Sequence, residues 1–287
     1  MNVGAVIATR NRRDSLLRTL AHLAALPERP PIVVVDNGSE DGTADAVRSA
    51  HPDVRVIGLE GNAGGAARTE GVRLLATEAV AFSDDDSWWA PDALARAARI
   101  LDDHPRLALI AARVLVGAGA TLDPTCLEMA DSPLAGSGEL PGPPILGFLA
   151  CGAIVRREAY LEVGGFEPRL GVGGEEQLLA LDLAVAGWGL VYVEDIVAHH
   201  HPRRGEPGRE NRRGIQLRND MWSAWLRRPP APALRITGAL AAACVREGLP
   251  RVLIEAARGL PWALRERRPL PPEVELAARR LSSGGSG

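Results

Sequence analysis

Three consecutive aspartates, Asp84, Asp85 and Asp86, stand at the end of the apolar run 80–83. Alternate side chains of an extended segment share a face, so Asp84 and Asp86 can present two carboxylates to one ligand. Hard carboxylate oxygens suit Mg²⁺ or Mn²⁺, ions that keep coordination positions open for substrate phosphates. The alternative is a solvated turn ahead of the helix that Pro91 opens, although three adjacent like charges repel unless a cation or solvent relieves them. A second acidic pair, Glu175 and Glu176, follows the glycine-rich stretch 171–174 and is expected in the first turn of a helix. Acids there oppose the macrodipole favourably, which suits a structural role, while the glycine loop ahead of them argues for a functional one. His199, His200 and His201 leave a short apolar run, either as an exposed polar strand end or with one of them ligating a metal; adjacent imidazoles alternate faces and cannot all reach one ion.

The elements that must position these groups are legible as a pattern. Short β-branched runs at 3–8, 31–35, 54–59 and 80–83 alternate with stretches of helical apolar spacing such as Leu16, Leu17, Leu20 and Leu23. That alternation predicts a parallel sheet covered on both faces, with ligands beyond the carboxyl ends of its strands. Those ends carry Thr9, Arg10, Asn11 and Arg12, then Asp36, Asn37, Gly38 and Ser39, then 61–65, then the aspartates. Asp36 to Ser39 also suits a turn and helix cap, while Gly64 and Gly65 suit close backbone approach to a phosphate. No G-x-G-x-x-G follows the first strand and no G-x-x-x-x-G-K-[ST] occurs, which disfavours dinucleotide and P-loop enzymes. Further elements are expected as a helix at 92–103, a strand near 107–116, an irregular Gly/Pro-rich stretch at 117–144, a strand at 150–155, a helix from Glu175 to about Ala186, and a last strand around Tyr192 and Val193.

A chain of 287 residues with 46% hydrophobic content can bury a substantial core. Residues 140–155 are interrupted by prolines and glycines, and 236–245 supply only half of the roughly 20 residues a membrane-spanning helix needs, so neither a span nor a signal peptide is expected. Cys126, Cys151 and Cys244 lack paired C-x-x-C spacing, which disfavours a disulfide scaffold and a cysteine zinc module and fits a reducing cytoplasm. All 33 basic residues are Arg, excluding any mechanism that needs lysine. The net charge of −3 conceals −12 over residues 1–196 and +9 over 197–287, so the two parts are expected to meet different partners.

The segments Val6-Ile7-Ala8-Thr9-Arg10-Asn11-Arg12, 34–43 with Asp36-Asn37-Gly38-Ser39, 62–68 ending in Arg68, and Asp84-Asp85-Asp86 together resemble the family-two glycosyltransferases of the GT-A fold. Gly164-Gly165-Phe166, Gly174-Glu175-Glu176, Ala186-Gly187-Trp188, His199 to Pro202 and Arg218-Asn219-Asp220 follow in the family's order, over about residues 1–225. The resemblance implies an α/β sandwich with a mostly parallel mixed sheet, and an inverting transfer of a sugar from a nucleotide diphosphate to an acceptor hydroxyl. By position it puts Thr9, Arg10, Asp36, Arg68 and Asp85 among the donor contacts, Asp84 on the ribose, and Asp86 with His199 on Mg²⁺ or Mn²⁺. Glu176 falls on the family's catalytic base with Glu175 beside it. The family usually has aspartate at position 176 and often a further acid at 178, so Glu175 or Asp182 stays open as the base. Thr69 replaces a common asparagine, and the 171–174 loop lacks the aromatics often found there.

The expected organisation is a catalytic domain at 1–225, with a nucleotide-binding half at 1–116 and an acceptor half at 117–225, a helical Arg-rich extension at 226–281, and a flexible tail at 282–287. Expected partners are a nucleotide-diphosphate sugar and a saccharide, lipid-linked or small-molecule acceptor, without nucleic acid. The extension carries Leu240, Val245, Leu249, Val252, Leu253 and Leu260 beside Arg235, Arg246, Arg251 and Arg258, a composition suited to an anionic membrane face; packing on the catalytic domain or a homodimer contact is the alternative. Two other functions compete: an inactive carbohydrate-binding or scaffold protein of the same fold, and a sugar nucleotidyltransferase, which normally uses a catalytic lysine that this chain lacks.

Overall fold

The computed structural model describes residues 1–135, 140–202 and 209–284. Strands β1 (Val3–Thr9), β2 (Ile32–Asp36) and β4 (Ala79–Asp84) are apolar along most of their length and almost wholly buried, as strands covered on both faces must be. With β3 (Arg55–Gly58) they form the parallel half of a nine-stranded sheet in the order β3-β2-β1-β4, then β8 (Ala153–Arg156), β6 (Leu107–Val116), β9 (Gly189–His200) and β5 (Ser87–Trp89). Helices α1 (Arg13–Ala24), α2 (Thr43–Ala50), α3 (Ala67–Leu74) and α4 (Ala93–Asp103) make the crossovers. The burial of Leu16, Leu20 and Leu23 on α1 follows the helical spacing of the sequence. A Cβ on Gly71 of α3 would lie 2.6 Å from Val6 Cγ1, so this glycine lets the helix settle directly on β1.

The second half adds β6 (Leu107–Val116), the short β7 (Thr121–Leu122) paired to it, α5 (Pro124–Ala130), β8 (Ala153–Arg156), α6 (Arg157–Glu162), α7 (Glu175–Val185) and β9 (Gly189–His200). Strand β8 runs antiparallel to both β4 and β6, whereas β9 runs parallel to β6. Consequently the carboxyl ends of β1, β2, β4, β6 and β9 share one rim with the amino end of β8. The sheet is thus mixed and mostly parallel, as expected.

Two local features depart from the sequence reading. The chain does not stay extended through the aspartates: it turns at Asp85 and Asp86 and re-enters the sheet as β5 (Ser87–Trp89), an unexpected strand antiparallel to β9. Ser87 Oγ accepts the Asp84 amide and Thr19 Oγ1 donates to the Asp85 carbonyl, which satisfies the backbone groups that the turn frees. His199 and His200, in turn, do not leave the last strand, and only His201 lies beyond it. β9 runs on through His200, held between β5 and β6.

Helices α8 (Arg209–Arg227), α9 (Pro230–Arg246), α10 (Pro250–Arg265) and α11 (Pro272–Gly284) follow. The expected domain boundary after 225 falls in the last turn of α8, and α11 reaches Gly284, so only 285–287 of the expected tail lie outside the described residues. Part of the extension packs on the sheet domain. Leu226, Trp262 and Ala263 meet Leu170 and Leu178, while Leu270 and Ala278 meet Leu146 and Leu181. Arg227 grips both Asp182 oxygens at 2.5 and 2.9 Å, and a buried Arg228–Glu275 pair at 2.6 Å ties α8 to α11. Among the described residues, no helix is long and apolar enough to cross a membrane.

Candidate active site at the sheet rim

The aspartate turn is held by the loop after β1. Thr9 Oγ1 donates to Asp85 at 2.9 Å, and Arg12 spans Asp85 at 3.1 Å and Asp86 at 2.8 Å. Burial pushes Asp85 up to about 7, with the neighbouring Asp86 and Asp84 charges adding to it against the pull of Arg12. Asp86 lies below the usual carboxylate range: burial opposes this, but the hydrogen bond and charge of His200, and then Arg12, prevail. Asp84 pairs with the buried Arg68, whose guanidinium also stands within the electrostatic reach of Glu175 and Glu176. Asp36, buried at the end of β2, accepts the Ser39 amide at 2.8 Å and so shapes its own turn; the adjacent Asn37 accepts the Ala63 amide at 3.1 Å. Arg10 is exposed on the rim. Next to Arg12 a polar recess of about 290 Å³ is lined by Asn11, Arg13, Asp14, Ser15 and Asp41.

The structure corrects the histidine assignment. His199 pairs across with Trp88, stacks on its indole at a centroid distance of 6.0 Å, and lies on the side of β9 that also carries His201. His200 faces the other way, with its Nε2 3.4 Å from Asp86 Oδ1. Side chains alternate along a strand, so only one of the two consecutive histidines can meet the aspartates, and the β5–β9 register selects His200. Burial pulls His200 down, yet the Asp86 hydrogen bond and the Asp86 and Asp84 charges raise it above its ordinary value; His199 is lowered by burial and by His201 and His22. Asp84, Cys151 and His200 present donor atoms that all lie within 4.8 Å of one another, a carboxylate, thiol and imidazole set able to hold a divalent ion, with Asp86 alongside.

Helix α7 begins with the acidic pair, which Arg68 links electrostatically to Asp84 of this cluster. Its N-cap Gly174 sits at φ +90°, a left-handed conformation that side chains rarely adopt, and the loop packs so tightly that a Cβ on Gly64 would lie 2.5 Å from the Gly171 backbone. Gly65 N donates to Gly171 O at 2.7 Å, which joins the loop before α3 to the loop before α7. Glu175 is buried and folds back to accept the Gly173 amide. Glu176 keeps part of its surface accessible, and burial together with the Glu175 charge pushes it up to about 8. Glu175 is raised as well, again by burial. Asp182 lies along α7 in its Arg227 pair.

Several residues at this rim escaped the sequence reading as site residues. Arg12 stands in the quoted Thr9 to Arg12 loop, but nothing local says that it spans two aspartates. Asn219 of α8, fully buried, donates to Leu170 O at 2.7 Å and Gly173 O at 2.5 Å and thereby braces the glycine loop; its place in the Arg218-Asn219-Asp220 segment was the available signal. Tyr160 joins Thr69 at 2.8 Å and accepts the Phe166 amide at 3.2 Å, so the Gly164-Gly165-Phe166 segment buttresses the helix that carries Arg68.

Known proteins share both the pattern and the architecture. The chain is similar to the N-acetylglucosaminyl-diphospho-decaprenol L-rhamnosyltransferase of Mycobacterium tuberculosis, 26% identical over 68% of this chain and 75% of that one. Among solved structures, the mannosyltransferase PcManGT of Pyrobaculum calidifontis, in complex with GDP-Man and Mn²⁺, superposes with a TM-score of 0.61 at 21% identity over 99% of this chain and 86% of its own. Residues 1–349 of S. aureus TarS with UDP-GlcNAc give a TM-score of 0.60 at 18% identity, over 84% and 71% of the two chains. The family described as glycosyl transferase family 2 matches residues 5–164, from β1 to the Gly164-Gly165 turn that buttresses Arg68, and with more than half its length inside that match this chain belongs to the family.

Proposed function

We propose that this glycosyltransferase moves a sugar from a nucleotide-diphosphate donor to an acceptor hydroxyl by direct, inverting displacement, with Glu176 as the general base and a divalent metal at the aspartate rim. The observation that carries the reading is that Arg68 pairs with Asp84 of the carboxylate and imidazole cluster and also stands within the electrostatic reach of Glu175 and Glu176. Thr9, Arg10, Asp36 and Arg68 bind the nucleotide, Asp84 the ribose, and Asp86 with His200 would hold Mg²⁺ or Mn²⁺, with Asp85 fixed by Thr9 and Arg12 between them. When bound there, the ion would supply Lewis-acid stabilisation of the charge on the departing diphosphate, an effect of several kcal/mol. Glu175 is committed to the Gly173 amide and Asp182 to Arg227, whereas Glu176, hydrogen-bonded to Glu175, keeps part of its surface accessible to an acceptor. Burial raises the affinity of Glu176 for a proton, which makes it a stronger base than an ordinary carboxylate once it is ionised.

The donors named for the structural neighbours, GDP-Man and UDP-GlcNAc, differ, so the test begins with a thermal-shift screen of nucleotide-diphosphate sugars with Mn²⁺ or Mg²⁺; a ligand of the native state raises its stability. NMR of the product with the responding donor should then show the inverted anomer. Donor binding without transfer to any lipid-linked, saccharide or small-molecule acceptor would favour the inactive binder instead.

The rhamnosyltransferase relative is named for a decaprenol-linked acceptor, and the outer helices suit delivery of the site to such a lipid. Leu234 and Val245 of α9, three helical turns apart and so on one face, are 61% and 69% exposed, and Ile254 of α10 is 56% exposed, beside the exposed Arg235, Arg246, Arg251 and Arg258. Liposome flotation should require anionic lipid and weaken with added salt. Absence of binding at low salt would reject this contact and leave the transferase reading intact.

A further inference from the structure

We infer that Cys151 is a direct ligand of the divalent ion, so that the site has a mixed sulfur, nitrogen and oxygen donor set. This rests on the metal-dependent reading above and extends it to a residue that neither the aspartate motif nor the histidine run contains.

The placement follows from the sheet. In the β4–β8 pairing Ala81 lies opposite Ile154. Continuing that antiparallel register for three residues sets Cys151, in the 3-10 turn Ala150–Gly152, opposite Asp84 at the end of β4. On the far side β9 delivers His200 to the same point, and the three donor atoms close to within 4.8 Å of one another. The other two cysteines are engaged elsewhere. Cys126 accepts the Val114 amide at 3.2 Å, and Cys244 belongs to the small core between α8, α9 and α10. Cys151 is 6% exposed, which shields it from bulk oxidants while leaving it within reach of an ion held by His200.

Chemistry makes the consequence specific. A thiol binds a metal as thiolate and gives its proton to the buffer on coordination. A thiolate beside imidazole and carboxylate favours borderline and softer ions over Mg²⁺, whose preference is for an all-oxygen octahedron. The site should therefore rank Co²⁺ and Zn²⁺ above Mg²⁺ in affinity, with Mn²⁺ between them.

The test titrates Co²⁺ into the full chain with a phosphine reductant, with and without a nucleoside diphosphate. Visible d–d bands report cobalt binding whatever the ligands, and a near-ultraviolet sulfur-to-cobalt band reports a thiolate. The expected result is both bands at one equivalent, loss of the sulfur band in Cys151→Ser, and its retention in Cys126→Ala and Cys244→Ala. Visible bands without a sulfur band, or a sulfur band indifferent to Cys151→Ser, would overturn the thiolate assignment and keep the metal. Absence of any cobalt binding, even with the diphosphate, would overturn both readings. Should Cys151→Ser misfold by circular dichroism, the wild-type protein decides: Cd²⁺ should protect Cys151 from alkylation in peptide mass mapping, and equal labelling with and without Cd²⁺ would refute the ligand.

Discussion

Glu176→Gln separates a catalytic base from a structural acid, because the two roles move stability in opposite directions. Glu176 stands in the first turn of α7, where backbone amides favour an anion, yet burial and the Glu175 charge win and push it from 4.5 up to about 8. A carboxyl with a raised folded-state value holds its proton more tightly folded than unfolded between those two limits. Folding stability therefore falls as pH rises through that window. At 1.36 kcal/mol per pH unit the ceiling is about 5 kcal/mol; partial exposure and the sharing of one proton with Glu175 reduce this to about 1–3 kcal/mol above pH 8. Glutamine keeps the size and cannot ionise, so the variant should melt about 2–8 °C higher than wild type at pH 8.5 and within about 1 °C of it at pH 4.5. The same variant should lose about 10²- to 10⁴-fold in kcat while its donor Kd changes less than about threefold. Differential scanning calorimetry at the two pH values and steady-state kinetics on one preparation supply both readouts. Near-wild-type turnover, or a melting point lowered equally at both pH values, would refute the base and return Glu176 to a helix-terminal role.

His200→Ala should weaken Mn²⁺ binding in the presence of a nucleoside diphosphate at least about 10-fold, whereas His199→Ala should leave it within about twofold; calorimetric titration distinguishes them. Asn219→Ala strands the Gly173 carbonyl and leaves the Leu170 carbonyl only Arg218 at 3.4 Å, and should cost about 1–3 kcal/mol in urea unfolding, with a fall in kcat as the start of α7 loosens. Glu275→Ala leaves Arg228 buried without its partner and should destabilise the fold by about 3–5 kcal/mol, while the donor Kd, measured well below the melting point, stays unchanged.

Much of this protein is written locally in the chain. Fully apolar strands followed by helical spacing specify a parallel α/β layer, because burial on both faces demands continuous β-branched runs and the rim behind them collects the polar ends. Thr9, Asp36 and the aspartates were therefore placed together by the pattern, Arg68 was added by the family resemblance, and the acidic pair at the start of α7 was marked by the glycines ahead of it. The helical extension was equally legible as helices, whereas its partial packing on the sheet domain depended on which faces met Leu170, Leu178 and Leu181.

Which side chain reaches the site was a different kind of question. Direction along a strand has a period of two, and its phase is set by a partner far away in the chain. Pairing of β9 with β5 turns His200 toward Asp86 and His199 toward Trp88, a choice that no property of three adjacent histidines encodes. The aspartates were expected on an extended segment, but the need to enter β5 bends them, and Arg12, too distant in sequence to be assigned, spans the bend. Cys151 looked like an unpaired cysteine by spacing alone; the antiparallel insertion of β8 beside β4 brings it to Asp84. Local propensity can specify the strands and helices, but long-range register and packing select the faces they show, and the donor set of this site is made of those faces.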